Sequence, residues 1–196
     1  MDIVRYAIAV MLLAAIPAAI LFWLLIHPFA RFWRRLGTGR PYVILCPIAF
    51  GAMAGMVMLR GRLLAADFGL NIPLALAGIV LLVVAGIMLI TLRKRLTVRV
   101  LVGVPELSPE QPGSLITDGI YARIRHPRYV QMTLAILGYA LIANYPAVYA
   151  AFIVWLAGIY AVALLEEREL LDRFGDEYRA YCRRVPRFIP GIRGWV

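Results

Sequence analysis

The chain has 196 residues and a formal net charge of +10, from 21 Lys+Arg against 11 Asp+Glu. Apolar residues make up 63% and charged residues 16%, and the mean hydropathy is +0.81. A soluble core of this size cannot bury that much apolar side chain. Soluble, disordered and disulfide-scaffold classes therefore fit poorly, and an all-α integral membrane protein is expected. The basic excess reads as cytoplasmic loops facing anionic lipid in preference to a nucleic-acid surface.

In chain order, the first apolar run, about Val4–Ile26, predicts a span, and the basic residues Arg31, Arg34, Arg35 and Arg40 follow it. A second span is predicted over Tyr42–Leu59, with Pro41 suited to its first turn. A third is predicted over Ile72–Leu92 and ends at Arg93, Lys94 and Arg95. Each run is near the ~20 residues that cross a ~30 Å hydrocarbon layer. Residues 96–124 contain Pro105, Pro109, Pro112, Gly103, Gly113 and Gly119. That stretch cannot be one helix, and it is expected to run along the cytoplasmic membrane surface. The apolar run Tyr129–Leu165 is interrupted by Asn144-Tyr145-Pro146. It predicts a helical hairpin, Tyr129–Ala143 and Ala147–Leu165, which brings the total to five transmembrane helices. A charged helical tail follows from 166 to 196, with Leu170, Leu171 and Phe174 as its apolar stripe. Gly175 is placed to end its first helix, and Asp176–Cys182 to form another.

Two regions are expected: residues 1–95, three spans with basic loops, and residues 96–196, a surface segment, hairpin and tail. Five crossings put 18 of the 21 Lys+Arg on one side and leave Arg5, Arg60 and Arg62 on the other. The expected topology is N-terminus outside and C-terminus cytoplasmic, in the inner membrane if the source is bacterial. No cleavable signal peptide is expected, because the first run is long and lacks a basic leader. Cys46 and Cys182 have no metal spacing and suggest no disulfide framework.

The hairpin is the main functional signal. Two antiparallel arms return the chain to the face it left, so Arg125-His126-Pro127 and Glu166-Glu167 should meet at one cytoplasmic boundary. Ionisable groups there are costly and are functional candidates. Plainer readings also fit the spacing: Arg125 snorkelling to phosphate, solvated glutamates, and His126-Pro127 simply opening a helix. His27 reads as an interfacial residue, and Trp23, Trp33 and Tyr42 as an interfacial belt. Gly51 and Gly55 match a small-residue packing spacing. No metal site is expected, and neither a Walker A loop nor a dinucleotide-binding glycine motif is present.

Gly119-Ile120-Tyr121, Arg125-His126-Pro127-Arg128-Tyr129, Glu166-Glu167, Leu170, Phe174-Gly175, Tyr178, Tyr181 and Val185-Pro186 together resemble the isoprenylcysteine carboxyl methyltransferase family. Phospholipid N-methyltransferases share its Arg-His-Pro-x-Tyr and Glu-Glu pattern. The resemblance covers about residues 115–190. It implies methyl transfer from S-adenosylmethionine, bound without a Rossmann domain, to a lipophilic acceptor reached from the bilayer. The implied cofactor residues are Gly119, Tyr121, Arg125, His126, Tyr129, Glu166, Glu167, Tyr178 and Tyr181. Glu167 and Arg187 are the implied catalytic pair. A carboxylate acceptor needs no general base, whereas an amine acceptor would call on a glutamate. Residues 102–109 depart from the family pattern and are expected to shape the acceptor entrance. Three rivals stand beside this reading: a phospholipid or amino-lipid N-methyltransferase, an NADPH-dependent membrane reductase, and a non-catalytic lipid-binding protein.

Overall fold

A computed structural model describes residues 2–37, 39–93 and 115–191. The described residues are helical throughout their regular structure. They form α1 (Asp2–Ile26), a 3₁₀ turn (His27–Phe29), α2 (Ala30–Leu36), α3 (Arg40–Leu63), α4 (Ile72–Arg93), a second 3₁₀ turn (Gly119–Ala122), α5 (Pro127–Ala143) and α6 (Pro146–Arg184). Of these, α1 with its following turn, α3, α4 and α6 are long and apolar enough to cross a membrane. The protein is thus compatible with an integral membrane protein. α5, at 17 residues, is shorter. Most of the surface segment expected over 96–124, including the departure at 102–109, lies outside the described residues.

Proline sets three helix starts. Pro41, Pro127 and Pro146 occupy first-turn positions, where the missing N–H costs nothing and the fixed φ favours entry. α5 ends at Asn144, which takes the left-handed conformation (φ 57°, ψ 49°), and Tyr145 leads directly into α6. α6 continues well past Leu165. Its one break is Gly175 (φ 53°, ψ −123°), a backbone region open to glycine and costly for other residues. The break turns the tail so that Tyr178, Tyr181, Cys182 and Val185 pack with Leu170, Leu171, Phe174 and Leu115.

The main core joins α1, α5 and α6 through Leu12, Leu13, Ile16, Ala140, Val148, Trp155 and Val162. α4 lies against α5 along its length, and glycine permits the closest approach. A methyl group added at Gly78 would collide with the Gly138 carbonyl, and one at Gly138 with the Gly78 carbonyl. The sequence drew attention instead to Gly51 and Gly55, where an added methyl would meet nothing within 4 Å. Trp33, expected in an interfacial belt, is buried with Ile26 and Leu45 and donates its indole N–H to the Leu25 carbonyl at 2.8 Å.

Candidate active site

The start of α5, the middle of α6 and the tail meet in a buried polar cluster. Arg125, His126 and Glu167 are 4%, 5% and 6% exposed, so these charges face protein in place of water. Arg125 donates from Nε to Glu167 Oε1 at 3.0 Å, and from Nη1 to the Cys182 and Val185 carbonyls at 3.0 and 2.9 Å. It therefore pins the tail to the base of α5. Backbone hydrogen bonds run alongside: Arg125 N–H to the Pro186 carbonyl at 2.9 Å and His126 N–H to the Arg187 carbonyl at 3.1 Å. They satisfy two donors at the helix start that burial would otherwise strand.

Glu167 is the hub. Arg187 reaches it in a forked pair, Nε to Oε1 at 2.9 Å and Nη2 to Oε2 at 2.6 Å. His126 Nε2 lies 3.0 Å from Oε1. Glu166, the next residue, accepts from the Tyr129 hydroxyl at 2.6 Å and lies 3.5 Å from His126 Nδ1. Burial opposes charge on His126, but its hydrogen bonds to Glu166 and Glu167 outweigh this and hold the imidazole above its ordinary value. The Glu167 hydrogen bond likewise strengthens the charged form of Arg187.

The other residues singled out in the sequence flank this hub. Tyr181 donates to the Tyr121 carbonyl at 2.7 Å, which fastens the 119–122 turn to the tail. Burial, with the Glu166 charge beside it, pushes the Tyr121 phenol up to about 12. Tyr178 is 1% exposed, and its hydroxyl makes no hydrogen bond among the described residues. Gly119 opens the turn at φ 60°, and no hydrogen bond among the described residues ties it to the carboxylates.

The sequence reading missed His27. Expected at the membrane interface, it is buried inside the protein at 6% exposure, with Nδ1 3.5 Å from Glu169 Oε2. Its ring stacks on Trp23, which also meets the Arg128 guanidinium at 5.8 Å. Glu166 and Glu169 are one turn apart on α6, so His126, just before α5, and His27, in the turn after α1, meet that acidic face. The only sequence hint was the position of His27 at the end of the first span, level with the glutamates if the crossings alternate.

Aromatic rings join the cluster to a cavity of about 440 Å³. His126 stacks on Tyr129 (5.3 Å, 12°), Phe188 lies 5.6 Å from His126 and 6.3 Å from Tyr160, and Arg187 stands over the Tyr160 ring at 5.6 Å. Tyr129, Tyr160 and Phe188 also line the cavity, which continues between α5 and α6 along Val130, Thr133, Leu134, Leu156 and Ile159. A buried ion cluster thus adjoins an apolar groove.

Such a helical, membrane-compatible protein with an acidic, basic and aromatic site on its last helix pair defines a class of membrane-associated proteins. Within it, the chain belongs to the phospholipid methyltransferase family, which matches residues 74–177. It is 38% identical over 79 residues to a protein-S-isoprenylcysteine O-methyltransferase of Schizosaccharomyces pombe, covering 40% of this chain and 34% of that protein. It is 37% identical over 87 residues to the cobalt-zinc-cadmium resistance protein CzcN of Cupriavidus metallidurans, covering 44% and 40%. Methanethiol S-methyltransferase 1 of Bradyrhizobium diazoefficiens is 37% identical over 82 residues, covering 42% and 28%. The chain therefore matches well under half the length of these curated relatives. No solved structure matches it.

Proposed function

We propose that this chain is a membrane enzyme that transfers a methyl group from S-adenosylmethionine to a lipophilic carboxylate, of isoprenylcysteine or isoprenoid-acid type, at the cytoplasmic face. The observation that carries this reading is the direct contact between the buried cluster and the apolar groove, with Tyr129 belonging to both: its hydroxyl bonds Glu166 and its ring lines the groove. Family membership and the methyltransferase names of several relatives support it. The proposed topology has five spans, α5 pairing with α6 as the last hairpin, the N-terminus outside and the C-terminus cytoplasmic.

The donor set suits the cofactor. The buried Tyr178 hydroxyl, without a partner among the described residues, is a polar atom that a bound polar ligand would satisfy. Glu166 and Glu167 would accept from amino or ribose groups, and the faces of Tyr129 and Tyr121 suit a sulfonium cation. Gly119, Tyr121 and Tyr181 would form the wall on the tail side. When bound, S-adenosylmethionine supplies an electrophilic methyl group, whose transfer to a carboxylate oxygen breaks its carbon–sulfur bond and removes no proton.

The chain's own residues then have distinct duties. Arg125 spends its donors on Glu167 and two tail carbonyls, so it positions the tail. Glu167 holds Arg187 in place, and Arg187, beside Tyr160 at the groove, supplies positive charge to orient an acceptor carboxylate. Alignment of donor and acceptor is the main catalytic contribution, worth up to roughly 7–11 kcal/mol. An amine acceptor fits less well. Glu167 already accepts from Arg125, Arg187 and His126, and Glu166 from Tyr129, which disfavours either as a base.

A radiolabelled methyl-transfer assay on the purified protein tests this reading, with isoprenylcysteine, free isoprenoid acids and phosphatidylethanolamine as acceptors. Label is expected in the first two. Label only in phosphatidylethanolamine would overturn the carboxylate assignment. Binding of NADPH without adenosylhomocysteine would overturn the cofactor.

A further inference from the structure

The groove between α5 and α6 runs from a polar to an apolar end. Its polar end is marked by Tyr129 on α5 and Tyr160 on α6, and its apolar end by Thr133, Leu134 and Leu156. Tyr129 and Thr133 are four residues apart, about 6 Å along a helix. At that depth the indole N–H of Trp155 donates to Thr133 Oγ1 at 3.0 Å and bridges the two helices. Trp155 is 2% exposed, within the core. Beyond the bridge the pair closes on Ala140, Ala143 and Val148, each fully buried. The side of the groove is different: Leu156 and Tyr160 are 42% and 49% exposed, so their face of α6 is turned outward.

We propose that the Thr133–Trp155 bridge is the floor of the acceptor groove and sets how much of the acceptor's hydrocarbon chain is enclosed by protein. The proposal rests on the methyl-transfer reading and names the residues that determine chain-length specificity. The occupant is the acceptor's own chain. The argument for it is continuity: the groove begins at residues that touch Arg187 and Glu166, and a 440 Å³ apolar space is of ligand size. A chain with its carboxylate at Arg187 descends past Val130 and Ile159 and stops at the bridge. A longer chain leaves sideways past Leu156, where its remaining carbons gain nothing from the floor.

Chain-length profiles test this. Free isoprenoid acids of increasing length, from two to five isoprene units, are assayed with S-adenosylmethionine on wild type, Thr133→Met and Trp155→Phe. Thr133→Met fills the floor and keeps the site apolar. Trp155→Phe removes the bridging N–H and some volume with little loss of hydrophobic packing. For Thr133→Met, the ratio of kcat/KM for the longest enclosed acid to that for the shortest should fall roughly 10-fold, the scale of one or two misfitted methylenes. For Trp155→Phe, the optimum should shift to a longer chain. Adenosylhomocysteine binding by each variant reports an intact polar cluster. If wild type methylates the acids and neither variant changes the profile, the floor assignment is wrong and the methyl-transfer reading stands. If wild type methylates isoprenylcysteine but none of the acids, the floor assignment falls alone; if it methylates neither, both fall.

Discussion

The two ends of the α5–α6 pair each carry a buried polar cluster, and they are built to different ends. At the turn, Arg5 donates to the Ala143 carbonyl at 3.1 Å, pairs with Asp67 and Asp2, and stands over Tyr145. Asn144 donates to the Gly69 carbonyl at 2.8 Å and accepts from Tyr149 at 2.8 Å. These contacts fasten α1, the α3–α4 connection and the α5–α6 turn to one another. At the other end, Arg125, Arg187, His126 and the two glutamates adjoin an apolar cavity, and the Tyr178 hydroxyl beside them has no hydrogen-bond partner among the described residues. The lesson is that a buried charge alone does not mark a site. A cluster that only ties helices and loops together is a fastener, whereas one bordered by a cavity and an unpartnered hydroxyl is a candidate binding site.

The comparison breaks most visibly at Glu167. Glu167→Ala strands three donors in a buried setting, and removal of one partner from such a network costs about 3–5 kcal/mol. Thermal melting should show that loss, and adenosylhomocysteine binding should disappear in the calorimeter. Arg5→Leu should cost less stability, because the Asp2 and Asp67 carboxylates it leaves behind are open to water, while the folded fraction keeps its ligand affinity. Equal loss of affinity in both would erase the distinction between the two ends.

Gly175→Ala sharpens the comparison from within the tail. An added methyl meets nothing within 4 Å, so its effect comes from backbone strain, about 1–3 kcal/mol. The tail positions Tyr178, Tyr181 and Arg187, so the expected readout is weaker adenosylhomocysteine binding with α1–α5 still packed. Smaller still is the pH effect. His126 is held above its ordinary value in the folded protein, so its stabilising contribution is full below about pH 6.5 and is lost as pH rises through the raised value. The melting temperature should therefore fall as pH rises above about 6.5, and His126→Asn should flatten that slope. A slope unchanged by the substitution would assign the pH effect elsewhere.

Much of this was legible in the sequence because membrane thickness fixes helix length. The apolar runs and the Asn144-Tyr145-Pro146 interruption implied that Arg125-His126 and Glu166-Glu167 share a boundary, and Gly175 announced the break in the tail. The Arg5–Asp67 pair was not legible, since it joins positions 62 residues apart that have no common motif. His27 beside Glu169 depended on which face α1 turns toward α6, a matter of side-chain packing between helices. The groove was hidden for the same reason: it is a gap between Thr133 and Leu156, and a sequence records residues but not the spaces between them. Gly51 and Gly55 carried little information, because glycine spacing marks a possible close crossing without saying which helix crosses there.

The central claim is tested most directly by calorimetric titration of adenosylhomocysteine into wild type, Glu167→Gln and Arg5→Gln in the same detergent. The expected result is saturable binding to wild type, binding weakened roughly 10-fold or more by Glu167→Gln, as loss of a charged hydrogen-bond acceptor implies, and unchanged affinity in Arg5→Gln. Wild-type protein that is folded and takes up no ligand, or Glu167→Gln that binds as wild type does, would contradict the account.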